Sequence, residues 1–145
     1  MHNHCEHLQS LTKSCFEFIT GSLVTFFAVL GLFHPFLVLA HACGQRAFRS
    51  MFHLMNAAVL ASLRVVGTRY QVEGASLLPR DVPLIVVSNH QSMFDIPLLI
   101  WNLRAHTPVF ISKKELGKWI PSISFSLRTM GSVLIDRNDP RQAVQ

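Results

Sequence analysis

His90 and Asp95 stand five residues apart in the run Asn89-His90-Gln91-Ser92-Met93-Phe94-Asp95. An imidazole can take a proton from a hydroxyl group near neutral pH, and a carboxylate within reach fixes which ring nitrogen does so. Together they suit attack by an alcohol on an activated carbonyl, which is acyl transfer. Spacing alone is a weak signal: eight His and four Asp in 145 residues give about 0.2 such pairs by chance.

Placement strengthens the signal. The pair follows an apolar run, Pro83-Leu84-Ile85-Val86-Val87, which predicts a buried strand over 83–88. Sites in α/β sheets gather beyond the C-terminal ends of strands. A plainer role exists for two of the residues. Ser92 can cap the next helix with Asp95 as its capping-box partner, or Asp95 can be the cap itself. That role accounts for Ser92, partly for Asp95, and not for His90.

The elements around the pair alternate. A strand is predicted over 65–72, then a turn at Glu73-Gly74. A helix follows over 96–103, with Pro97 tolerated in its first turn. A strand is expected over 108–112, a helix over 116–130 broken near Pro121, and a closing strand over 131–135. Strand–helix–strand alternation predicts an α/β layer structure with parallel pairs.

Upstream the chain changes character. No Asp, Glu, Lys or Arg lies between Glu17 and Arg46. Residues 18–45 exceed the roughly 20 apolar residues that a bilayer span needs. His34 and Pro35 interrupt the stretch, so one tilted span and two shorter pieces dipping into one leaflet both remain open. A cleaved signal peptide fits poorly with so long an apolar run preceded by both Lys13 and Glu17. Residues 50–63 are too short to cross and read as a helix lying on the membrane or on the domain. Arg46, Arg49 and Arg64 follow the apolar stretch and Lys13 precedes it, so a span would leave the later residues in the cytoplasm.

The charge balance limits the partners. Thirteen basic and eight acidic residues give +5, while only 14% of the chain is charged and its mean hydropathy is +0.34. Such a chain suits anionic lipid or phosphorylated substrates. Scattered Lys and Arg without a recognition motif argue against nucleic acid. Cys5, Cys15 and Cys43 are odd in number, crowd the first third and form no CxxC pair, which fits a reducing compartment without a disulfide framework. His2, His4, Cys5 and His7 are metal-ligand types, but a His-rich terminus explains them too, and the shell that supports metal ligands is missing. Trp101 and Trp119 fit interfacial anchors or core positions.

Three ordered blocks carry a family resemblance. Residues 89–95 resemble the NHxxxxD signature of the glycerolipid acyltransferases, nearest the 1-acyl-sn-glycerol-3-phosphate (lysophosphatidic acid) acyltransferases. Phe110-Ile111-Ser112-Lys113-Lys114-Glu115-Leu116 is similar to that family's Lys-Lys-Glu-Leu stretch. Gly131-Ser132-Val133-Leu134-Ile135-Asp136-Arg137 is similar to its strand ending in Ile-Asp-Arg. The resemblance implies that His90 is the general base on the free hydroxyl of a lysophospholipid, with Asp95 holding its tautomer. The oxygen would attack the thioester of acyl-CoA or acyl-carrier protein and give phosphatidate, with no cofactor and no metal. It also implies Arg137 as a ligand for the acceptor phosphate, since a guanidinium offers a fork of donors. The bland reading of Arg137 is a solvated strand end or a pair with Asp139. Lys113 and Lys114 are candidates for substrate phosphates or anionic lipid, against an equally good reading as a solvated loop.

The resemblance implies a domain plan of a polar tail over 1–15, a membrane-associated helical region over 16–63 and the N-terminal half of an acyltransferase domain over 64–145. The family's Glu-Gly-Thr-Arg block and a later Pro-containing block do not follow Ile-Asp-Arg here. The 145 residues alone are therefore expected to be weak or inactive. The inner membrane of a cell, with the catalytic part on its cytoplasmic side, is the expected location. The alternative is a non-catalytic membrane-interaction protein of the same fold.

Overall fold

Gly44 turns the N-terminal half of the chain back on itself. Its φ of +113° is a conformation that a Cβ would bar. Its N–H bonds the His41 carbonyl, and its own carbonyl accepts the Phe48 N–H, so one helix ends and the next begins there. The computed structural model describes residues 2–79 and 82–136, and the side chains of these except 2–15 and Trp119. Helix α1 (His2–Ala42) and helix α2 (Gln45–Val65) form the resulting hairpin.

Helix α1 is a single piece. It runs through Pro35, whose missing N–H costs one helical bond on an exposed face. Residues 18–45 therefore do not divide into two helices at that point. Phe16–Ala42 is long and apolar enough to cross a bilayer, with a mean hydropathy of 2.2, and only 17% of its most apolar window is buried by the rest of the chain. Helix α2 is two-sided instead. Phe48, Phe52, Met55, Asn56, Val59, Leu60 and Leu63 recur at helical spacing and are all buried.

The core sits where that stripe meets its neighbours. Phe26, Leu30 and Leu37 of α1, Phe48, Phe52, Met55 and Val59 of α2, and Ile100 of helix α3 (Asp95–Asn102) form one apolar cluster. Each such side chain contributes about 1.5–3 kcal/mol by leaving water. Helix α4 (Leu116–Trp119) and helix α5 (Pro121–Thr129) follow, with α5 laid against α1. There Ser122 donates its hydroxyl to the Leu30 carbonyl, and Phe125 meets Phe48 edge to face at 5.9 Å. The expected break near Pro121 is present. Ile120 takes the extended conformation that a following proline imposes, and Pro121 opens α5.

Strand β1 (Ile111–Lys113) pairs in parallel with strand β2 (Val133–Ile135), in the register Ile111 to Val133, Ser112 to Leu134 and Lys113 to Ile135. Parallel strands need a long crossover, and α4 with α5 supplies it. The mixture of helix and parallel strand agrees with the expected class, but the described residues are mostly helical and their sheet has two strands.

Two strand expectations are overturned and two are shortened. Residues 65–72 form no strand. Val65 is the last residue of α2, and the Gly67 and Thr68 N–H groups fold back onto the Arg64 and Leu63 carbonyls to close the helix. Residues 83–88 are neither a strand nor buried: Ile85 is 97% and Val87 91% exposed. β-branched residues favour a strand only where neighbours pair with and cover it, and no described segment does so here. β1 and β2 are also shorter than the runs 108–112 and 131–135.

Candidate active site

The start of α3 is built by one carboxylate. Asp95 Oδ2 accepts the N–H of Ser92 at 2.8 Å and of Gln91 at 2.9 Å. Ser92 Oγ in turn accepts the Phe94 N–H at 3.3 Å. These bonds tie together the turn that leads into α3, upstream of the helix's own first N–H groups. Neither expected cap is present: Phe94 holds the N-cap position with no side-chain cap bond, and Asp95 is the first residue of α3, its carboxylate bonding the turn before it.

The same oxygen has another partner. His90 Nδ1 stands 3.2 Å from Asp95 Oδ2. The Ser92 and Gln91 N–H groups, with a smaller part from His90, hold the Asp95 carboxyl below its ordinary value. An ionised carboxylate can only accept, so Nδ1 carries the proton and Nε2 keeps its lone pair. The two side chains are 55% and 33% exposed, which leaves the imidazole open to a reactant.

His90 borders an apolar cavity of about 240 Å³. Its walls include Phe26 and Leu30 of α1, Phe52 and Met55 of α2, and Ile100 of α3. Phe94, beside Asp95, meets Phe26 edge to face with centroids 5.5 Å apart, so the loop bearing the pair rests on the apolar helix. A hydroxyl delivered to His90 would thus stand next to room for a hydrocarbon chain. Sequence reasoning passed over these wall residues. Their signal is the helical spacing of the α2 stripe, which names the buried face but not the void beside it.

Lys113 and Lys114 lie apart from the cavity wall. Lys113 closes β1 and lies 3.6 Å from Glu115; Lys114 lies 4.0 Å from Asp136. Lys114 also donates its backbone N–H to the Ile135 carbonyl, which brings the Lys-Lys and Ile-Asp blocks side by side at the end of the sheet. Arg137 and Asp139 lie outside the described residues. The side chains of His2, His4, Cys5 and His7 also lie outside the description. Among the described residues no group of three His, Cys, Asp or Glu side chains has metal-binding geometry. Trp101 is half-buried, with the Arg104 guanidinium 4.7 Å over its ring.

The sequence is similar to known proteins. The chain is 35% identical over 129 residues to the chloroplastic 1-acyl-sn-glycerol-3-phosphate acyltransferase of Arabidopsis thaliana, covering 87% of this chain and 34% of that protein. It is 32% identical over 133 residues to a chloroplastic counterpart from Brassica napus, covering 90% of this chain and 36% of the other. A 1-acyl-sn-glycerol-3-phosphate acyltransferase alpha of Ovis aries is 37% identical over 78 residues, 54% of this chain and 26% of that one. The chain spans about a third of the length of the two plant relatives. No solved structure matches it. The acyltransferase family model matches residues 69–145, which is more than half of the chain and includes the His90–Asp95 pair and both strands; the chain belongs to the acyltransferase family.

Proposed function

We propose that this chain supplies the base, the orienting carboxylate and an acyl-chain cavity of a 1-acyl-sn-glycerol-3-phosphate acyltransferase. The observation that carries the reading is the 3.2 Å His90–Asp95 contact at the edge of an apolar cavity. The activity for which the relatives are named supports the choice of acceptor.

The steps follow from the geometry. His90 Nε2 takes the proton of the acceptor hydroxyl as its oxygen attacks the thioester carbonyl of acyl-CoA or acyl-carrier protein. Asp95 steadies the imidazolium that forms. The carbon–sulfur bond breaks as the ester forms, and the proton passes from His90 to the departing thiolate. The products are phosphatidate and a free thiol. No side chain is acylated, so Ser92 stays a member of the turn before α3. Lys113, Lys114 and Arg137 are proposed to meet phosphate groups, where cationic donors strengthen hydrogen bonds to anionic oxygens.

The apolar surface of α1 supports a membrane location, with Phe16–Ala42 in or across the bilayer and the cavity near the lipid. Arg46, Arg49 and Arg64 after the apolar stretch favour the cytoplasmic face of an inner membrane. The test is an acceptor screen on the complete protein in lipid, read as thiol release from acyl-CoA and from acyl-carrier protein. Release that depends on lysophosphatidate supports the reading. Lipid binding without thioester cleavage for any lysophospholipid would leave a non-catalytic membrane protein instead.

A further inference from the structure

The buried stripe of α2 has one polar break. Phe48, Phe52, Met55, Val59, Leu60 and Leu63 are apolar, but Asn56 stands among them and is only 3% exposed. Asparagine is a poor helix former, and a buried amide left without a hydrogen bond is costly. Both penalties call for a compensating contact, and one is present. Asn56 Nδ2 donates to the Pro97 carbonyl at 2.8 Å, across 41 residues of chain. A carbonyl can only accept, so the NH2 end of the amide must face it.

The place where this bond lands matters more than its strength. Pro97 is the third residue of α3, in the turn that opens with Asp95. Asn56 and His90 also border the same cavity. An apolar side chain at position 56 would pack that wall, yet would let the first turn of α3 slide and rotate against α2. A hydrogen bond fixes a point and a direction, which dispersion contacts do not.

We infer that Asn56 is a positioning residue: its amide pins the first turn of α3 so that the Asp95 carboxylate stays aligned on His90. The inference rests on the acyl-transfer reading of that pair. A displacement of about 1 Å in a reacting group can lower the rate 100-fold, so a residue that touches none of the reacting atoms can still govern turnover.

The variant to make is Asn56→Leu in the complete protein, because leucine suits both the helix and the apolar stripe. Asn56→Ala serves where leucine overfills the cavity. The expected result is a melting temperature equal to or above that of the parent, kcat lowered about 10- to 100-fold, and KM for both substrates little changed. A second readout needs no turnover. In the variant, the carbon-13 signal of the Asp95 carboxyl should titrate nearer the ordinary carboxylate value, because the Gln91 and Ser92 N–H groups no longer converge on it. His90→Ala is assayed alongside. If His90→Ala still turns over, the acyl-transfer reading itself fails. If His90→Ala is dead while the Asn56 variants keep kcat, or change only KM, the positioning role of Asn56 is overturned and the base stands.

Discussion

The ring of Phe94 stands edge-on to the ring of Phe26, 5.5 Å between centroids at 83°. One ring belongs to the residue before Asp95, the other to the apolar helix α1. The contact makes α1 part of the site's support as well as a hydrophobic segment. Edge-to-face pairs contribute about 0.5–1.5 kcal/mol beyond the area they bury. A double-mutant cycle with Phe26→Leu and Phe94→Leu should therefore return a coupling near 1 kcal/mol in stability, with kcat falling in both single variants. Additive stabilities would mean that the two rings are only neighbours.

Asp95 should make the protein acid-sensitive in a defined window. Its carboxyl is held below the ordinary value, first by the Ser92 N–H, then by the Gln91 N–H, then by His90. In the unfolded chain the same group titrates near 3.9. The folded state thus binds fewer protons than the unfolded one in that range, and stability rises with pH there. The contribution is complete above about pH 5 and is lost as pH falls through the folded-state value. Asp95→Asn should flatten the fall in melting temperature between pH 5 and pH 3 relative to the parent. An unchanged acid limb would contradict the assignment.

His53 should add a second, milder dependence. Burial first, then Arg104 and Arg49, lower its pKa. The unfolded chain therefore protonates more readily as pH drops below about 6.5, and the folded state loses ground. His53→Gln should lessen the loss of stability between pH 7 and pH 5, as read by urea unfolding at each pH. The same slope in the variant would place the sensitivity elsewhere.

Gly117 marks a close approach in the layer beneath the lysines. A Cβ there would stand 2.6 Å from Leu134 Cδ1, the tip of a half-buried side chain on β2. Gly117→Ala should cost about 1–2 kcal/mol by forcing that tip out of its rotamer. The cost should shrink when Leu134→Ala is introduced with it. Strict additivity would show that the tip moves freely.

Much of this site was legible in the sequence because it is local. His90, Ser92 and Asp95 lie within six consecutive residues, and the base–carboxylate rule acts over that distance. The helix after Asp95 and the break before Pro121 were readable for the same reason: proline imposes its geometry on its immediate neighbours. Residues 83–88 misled because β-branched runs report a tendency, while a strand exists only through its partners. Val65 and Val66 misled similarly, since the end of α2 took them up. Asn56 was silent because its partner is Pro97, 41 residues away. The cavity was silent too, as a void is a property of packing between elements.

Lys113 and Lys114 divide two views of the sheet end. If they meet substrate phosphate, Lys113→Ala and Lys114→Ala should each raise KM for lysophosphatidate by about tenfold, equivalent to roughly 1.4 kcal/mol of binding, with kcat little changed. High salt should weaken the parent in the same sense. Unaltered KM values would mean that these lysines pair only with Glu115 and Asp136.

The most direct measurement is the initial rate of thiol release from acyl-CoA by the complete protein and its His90→Ala variant in lipid, at saturating lysophosphatidate. A hydrogen-exchange profile of α3 run beside it verifies that the fold persists. The account predicts that release falls to the uncatalysed level while the amides of α3 keep their protection. Turnover by the folded variant within a few-fold of the parent would contradict it.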